Sequence, residues 1–196
     1  MQIDYNVLIA YGGVAQKIAK GDFIFKEGSF PRYFFQILQG EVRLFSSNKE
    51  GRILLQGIFK NGQTFGEAPL LNDKPYPNTA QATQPTVIVK ISKEKFVSLL
   101  KDFPDTTTAL LFSLTKRIYN NTLLAQIWVA QTPEEKILLF LKNYKAELNT
   151  AEQILITLTR QQIADFTGLR VETVIRTIKK MCTQGKVKII NHKLYY

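Results

Sequence analysis

At 196 residues the chain has room for one large domain or two small ones, and 45% hydrophobic with 21% charged residues gives no sign of wholesale disorder. No apolar run approaches the roughly 18 residues that span a bilayer, and the start MQIDYNVLIAYGG lacks the basic region of a signal peptide, so a cytoplasmic protein with no membrane partner is expected. One cysteine, Cys182, excludes an internal disulfide and any cysteine-only zinc or iron–sulfur site; one histidine, His192, argues against a histidine-rich metal site or a Ser/His pair; and a net charge of +10 favours a polyanionic partner.

Residues 1–104 read as β. Glycines at 21, 28, 40, 51, 57, 62 and 66 separate the short runs Phe23–Phe25, Tyr33–Leu38, Glu41–Phe45, Ile53–Phe59 and Val87–Ile91, a spacing that suits a small antiparallel barrel or sandwich. Gly40 marks a tight reversal between two strands and Asn61-Gly62 a turn before Phe65. Pro75 and Pro77 make NDKPYPNT a loop.

Residues 105–131 change pattern, with neither Gly nor Pro up to Ala130. Leu111, Leu114, Ile118, Asn121, Ala125 and Trp128 fall at alternating steps of three and four, a heptad seam on one long helix. Leu110, Leu123, Leu124 and Ile127 add apolar surface beside it. So wide an apolar arc must bury two sides, one on the β domain and one on a second copy of the chain. The competing reading is the core helix of a monomer. Asn121 then sits as a polar residue that sets the register of the seam.

Residues 132–196 are the most basic part per residue, with 11 Lys/Arg against 6 Asp/Glu. Thr132-Pro133-Glu134-Glu135 opens a helix with an N-cap, a first-turn proline and two acids that match the helix dipole. Within LTRQQIADFTGLRVETVIRTIKKM, Thr159 and Gln162 form a capping box, and Ala164 is small enough for a second helix to cross closely. Gly168 supplies a sharp turn. A second helix follows from about Arg170, with Val174, Ile178 and Met181 as its buried stripe. This is a helix-turn-helix. Gly185 ends it, and KVKII and KLYY form a hairpin wing around Asn191-His192.

On such a helix Arg176 can make a bidentate contact to guanine and Glu172 can accept from cytosine. Thr173 belongs to the same base-facing set, while Thr159, Arg160, Arg170, Lys179 and Lys186 suit phosphates, which position without specifying sequence. The plainer alternative for Glu172 and Arg176 is a surface ion pair one turn apart.

With these motifs, and with GQTFGEAPLL earlier in the chain, the sequence resembles the Crp/Fnr family of transcription regulators over nearly its whole length. The resemblance implies an α+β chain: an N-terminal antiparallel β-roll like a cyclic-nucleotide-binding domain, a long dimerisation helix, and a C-terminal winged helix-turn-helix. It implies double-stranded DNA with a pseudo-palindromic operator, a second copy of the chain, and RNA polymerase as partners. Glu172, Thr173 and Arg176 match the family pattern that reads half-sites resembling TGTGA or TTGAT. Val171 is similar to the oxygen-sensing branch, whereas Arg170 and Ile175 depart from both branches.

The resemblance also implies an effector pocket containing Gly66, Glu67, Tyr76, Asn78 and Thr79, with Asn121 and Thr122 facing a nucleobase. In the family an Arg binds the phosphate; here Tyr76-Pro77-Asn78-Thr79 stands in its place, which argues against cAMP, since a buried phosphate needs a cation. The effector is left unassigned. Too few cysteines are present for the iron–sulfur version. For the haem version the β part offers no Cys or His and only Met1. A scaffold whose winged helix docks a protein is the rival function. An enzyme finds no support, with no P-loop, metal cluster or activated nucleophile.

Overall fold

The computed structural model describes residues 2–51 and 53–196, so Met1 lies outside the described residues. Two four-stranded antiparallel sheets form the N-terminal β-roll. One has the order β1 (Val14–Ile18), β8 (Thr86–Ser92), β3 (Tyr33–Gln39), β6 (Thr64–Phe65). The other runs β2 (Phe23–Phe25), β7 (Thr79–Ala82), β4 (Glu41–Ser47), β5 (Ile53–Lys60). β3 is buried on both faces because Phe35 and Ile37 enter the roll interior with Phe25, Phe65 and Tyr76, while Phe34 joins a second core. Gly40 turns β3 into β4 at φ 108°, and a Cβ there would lie 2.4 Å from Thr86 Oγ1, so only glycine fits.

Three short helices flank the roll. They are α1 (Tyr5–Ala10), capped by the Asp4 carboxylate, α2 (Glu67–Asn72), and α3 (Lys93–Asp102), capped by Ser92. Leu8, Leu70, Phe96 and Leu99 from these helices are fully buried in the second core, where the Phe96 ring stacks on Phe34 at 3.9 Å. All three helices, and β1, β6 and β7, go beyond the purely β reading of this stretch. β1 and β7 hold no aromatic residue and few β-branched ones, Val14 and Ile18 in the first and Thr79 in the second, and β6 has only two residues. The helix signal of α3 was present in its serine cap and in Phe96 and Leu99 three residues apart.

The long helix, α4, runs Pro104–Val129. After it come α5 (Pro133–Glu147), β9 (Leu155–Ile156), α6 (Arg160–Thr167), α7 (Val171–Thr183), β10 (Lys188–Ile190) and β11 (Lys193–Tyr195), with the strands ordered β10-β11-β9 in one antiparallel sheet. The chain divides into two compact units, Met1–Ser47 with Leu55–Arg117, and Asn48–Leu54 with Ile118–Tyr196. The core of the second unit gathers Ile127 from α4, Ile137 and Leu141 from α5, Ile163 from α6, and Val174, Ile178 and Met181 from α7. Among the described residues no helix is long and apolar enough to cross a membrane.

Candidate nucleic-acid interface

Two helices meet at a glycine turn because each end is fixed by its own chemistry. The Thr159 hydroxyl accepts from the Gln162 amide at 3.1 Å and Gln162 Oε1 accepts from the Thr159 amide at 2.8 Å, the reciprocal cap that starts α6. Gly168 stops it in the left-handed region at φ 68°, its amide donating to the Ala164 carbonyl. Ala164 is buried at the crossing, and α7 starts at once, with Arg170 as an extended N-cap. The wing turns at Asn191 (φ 47°) and His192 (φ 63°), two consecutive positive-φ residues as a type I′ hairpin requires.

The stripe Val174, Ile178 and Met181 is fully buried, which fixes the rotation of α7 and turns Glu172, Ile175, Arg176, Lys179, Lys180 and Thr183 outward. Among the described residues Glu172 and Arg176 form no ion pair with each other, so the two groups expected to read bases are both presented. Thr173 is half-buried on the flank of the same helix, and Arg170 is exposed at its start. Thr159 is exposed and committed to its cap. Arg160 is half-buried, and burial draws its guanidinium below the usual range.

Lys186, expected at a phosphate, has an acidic partner within the chain. Its ammonium donates to Glu134 on α5, and Lys180 approaches the other Glu134 oxygen at 3.8 Å. The Lys186 hydrogen bond, with Lys180 adding, holds the Glu134 carboxyl below the ordinary carboxylate range. Lys186 therefore acts as a strut between the segment after α7 and the start of α5. No sequence spacing announced this pairing, which spans 52 residues.

On α4 the seam residues differ in exposure. Leu114 packs into the core of the first unit, and Trp128 packs into that of the second, its indole N–H donating to the Phe166 carbonyl at 3.0 Å. Both are half-buried there. Leu111, Ile118, Asn121 and Ala125 are exposed, as are Thr115, Thr122 and Val129. The outward strip thus runs 111, 115, 118, 122, 125, 129, flanked by Phe112 and Tyr119, which are 68% and 65% exposed. Asn121 lies exposed beside it, so of the six seam residues Leu114 and Trp128 are the two that pack against cores of the chain itself. Ala125 and Val129 also form one wall of a trough whose other wall is Leu138 and Leu139 of α5.

Tyr76, Asn78, Thr79 and Glu67, expected around an effector, each have a partner elsewhere in the chain. The Tyr76 ring is buried and stacks on Phe25 at 3.6 Å. Gly66 is left-handed at φ 79°, and a Cβ there would meet Phe25 and Tyr76 at 3.1 and 3.3 Å. Burial, with Glu67 nearby, pushes the Tyr76 hydroxyl well above the usual phenol range. Asn78 donates to Gln56 Oε1 at 2.6 Å, and Thr79 Oγ1 accepts from the Glu27 amide at 3.1 Å.

Glu67 is buried and pairs with Arg117 of α4 at 2.6 Å. The same guanidinium donates to the Thr64 carbonyl and hydroxyl and lies over the Phe59 ring. Glu67 Oε1 has no hydrogen-bond partner among the described residues. Lys74, the only basic residue between Thr64 and Ala82, is exposed. A cyclic phosphate would find aromatic carbon around Tyr76, and the one guanidinium described beside Glu67, that of Arg117, is already committed to Glu67 and Thr64, so these residues do not fit a cyclic nucleotide. Asn121 and Thr122 belong to the other compact unit, and the Thr122 hydroxyl bonds back to the Ile118 carbonyl.

Residues 15–103 match the cyclic nucleotide-binding domain family and residues 135–195 the Crp-like helix-turn-helix domain family. Transcriptional activator protein anr of Pseudomonas aeruginosa is 25% identical over 174 residues, covering 87% of this chain and 71% of that protein. The nitrogen fixation regulation protein FixK of Bradyrhizobium diazoefficiens is 24% identical over 182 residues, covering 88% and 73%. The c-di-GMP responsive global regulator CLP of Xanthomonas campestris has the same fold, with a TM-score of 0.78 at 19% identity over 96% of this chain and 95% of that one. Matched from its roll to its wing, the chain belongs to the Crp/Fnr family of DNA-binding transcription regulators.

Proposed function

We propose that this regulator is a homodimer that reads a pseudo-palindromic site with α7, Glu172, Thr173 and Arg176 facing base edges. The observation that carries the reading is the rotation of α7. A fully buried stripe fixes the helix, and Glu172 and Arg176 project together from its opposite side without an ion pair between them. The exposed α4 strip supports pairing by a twofold axis, which sets two recognition helices about 34 Å apart, one turn of DNA. Arg170 and Lys179 contact phosphates. RNA polymerase is the further partner this role entails, and the cytoplasm its compartment. The roll carries the first half of α4 through Leu110, Leu114 and Arg117 and is not a cyclic-nucleotide receptor. The aromatic filling around Tyr76 supports that part of the reading.

Sites selected from a random DNA pool, then titrated across a range of salt, test the proposal. A regulator gives a sequence preference and an affinity that falls linearly in log–log form with salt. A winged helix that docks a protein instead would select nothing, and any DNA binding would be weak and indifferent to sequence.

A further inference from the structure

We propose that Ile175 reads the 5-methyl group of a thymine, which makes it a third specificity-determining side chain on α7. The proposal rests on the reading of α7 as the DNA-facing helix. Six residues of that helix are exposed: Glu172, Ile175, Arg176, Lys179, Lys180 and Thr183. Ile175 alone among them is apolar, and it is 40% exposed. It follows Glu172 by three residues and precedes Lys179 by four, so all three share one side of the helix. Helix formation does not explain it, because isoleucine is a poorer helix former than the alanine or lysine that would serve at a solvated position. The buried core does not explain it either, because the stripe Val174, Ile178 and Met181 is complete without it.

A groove supplies what this side chain lacks. The edges of base pairs in the major groove present hydrogen-bonding groups and one apolar feature, the thymine methyl. Isoleucine offers no hydrogen bond to compete for the others. Its β-branch confines χ1 to essentially one rotamer in a helix, so little side-chain freedom is lost on contact. Ile175 lies next to Arg176 in the chain, about 1.5 Å further back along the axis. The thymine it touches therefore belongs to a base pair adjacent to the one Arg176 reads. Cytosine at that position lacks the methyl and is disfavoured.

The test separates the methyl from everything else on the base. Sites are selected from a random pool with the wild-type chain and with Ile175→Ala, and the thymine whose preference disappears in the variant is then replaced by uracil, which removes only the methyl. Wild-type affinity is expected to fall roughly fourfold, the worth of one buried methyl group, while Ile175→Ala changes by less than about 1.5-fold. Arg176→Ala, as a control, keeps the uracil penalty. Identical selected sites for the two proteins, or a uracil penalty equal in both, overturns the assignment of Ile175 and leaves the DNA-reading helix intact. Failure of the wild-type chain to select any sequence overturns both, and it is seen before any uracil is introduced.

Discussion

Individual side chains divide into those whose role follows from type and spacing and those whose partner is distant in sequence. Glu172 and Arg176 are of the first kind. Arg176→Ala should cost about 1–3 kcal/mol on a selected site and relax one base position, read by competition binding against single-base variants. Equal discrimination by the variant would remove Arg176 from base readout. Lys186 is of the second kind, held by Glu134. Glu134→Gln should free Lys186 and Lys180 for phosphate and steepen the salt dependence of DNA binding by about one to two counterions. Because the folded-state Glu134 carboxyl lies below its ordinary value, its contribution is full at neutral pH. It is lost as pH falls through that lowered value, and the Gln variant lacks this acid-side loss. Glu67 and Arg117 likewise met only in three dimensions. Removing the cation by Arg117→Met leaves a carboxylate buried to 1% exposure and should destabilise the protein by about 3 kcal/mol in urea denaturation.

At the scale of elements, α4 separates the two readings of its apolar arc. The sequence calls for burial on two sides, and the structure supplies one side by packing Leu110, Leu114, Leu124, Ile127 and Trp128 into cores of the chain itself. The outward strip keeps Leu111, Ile118 and Ala125. Ile118→Glu should convert a dimer to a monomer in sedimentation while leaving the thermal midpoint of the monomer nearly unchanged. Leu114→Ala should leave the dimer intact and lower stability by about 1–2 kcal/mol, less than a fully buried leucine costs. The opposite pattern would restore Leu114 to the seam. The heptad count alone could not choose, because steps of three and four fit two overlapping strips one residue apart. The neighbouring cores take up part of Leu114 and Trp128 and leave Leu111, Ile118 and Ala125 exposed. In the same way α1, α2 and α3 are short helices whose apolar residues make sense only against the sheet that receives them, and β7, whose buried residues are the two alanines Ala80 and Ala82, is ordered by pairing to β4 and β2.

For the whole molecule, the strongest expectation concerns the roll. Cyclic AMP at millimolar concentration should leave the melting temperature unchanged, since a ligand stabilises only by binding the folded state better than the unfolded one. A rise of several degrees would show that Tyr76 and Arg117 move aside for it.

The winged helix-turn-helix was legible in the amino-acid sequence because local chemistry specifies it: a capping box at Thr159, glycine at 168, a stripe at 174, 178 and 181, and an Asn-His hairpin turn. These signals act within a few residues, where backbone geometry and hydrogen-bond reach are fixed by covalent structure. Tertiary structure alone decided that Glu67 meets Arg117, that Lys186 meets Glu134, and that Tyr76 stacks on Phe25 inside the roll. Each of these contacts joins residues about 50 apart, and a one-dimensional pattern carries no distance between such residues until the sheets and helices have closed around a core.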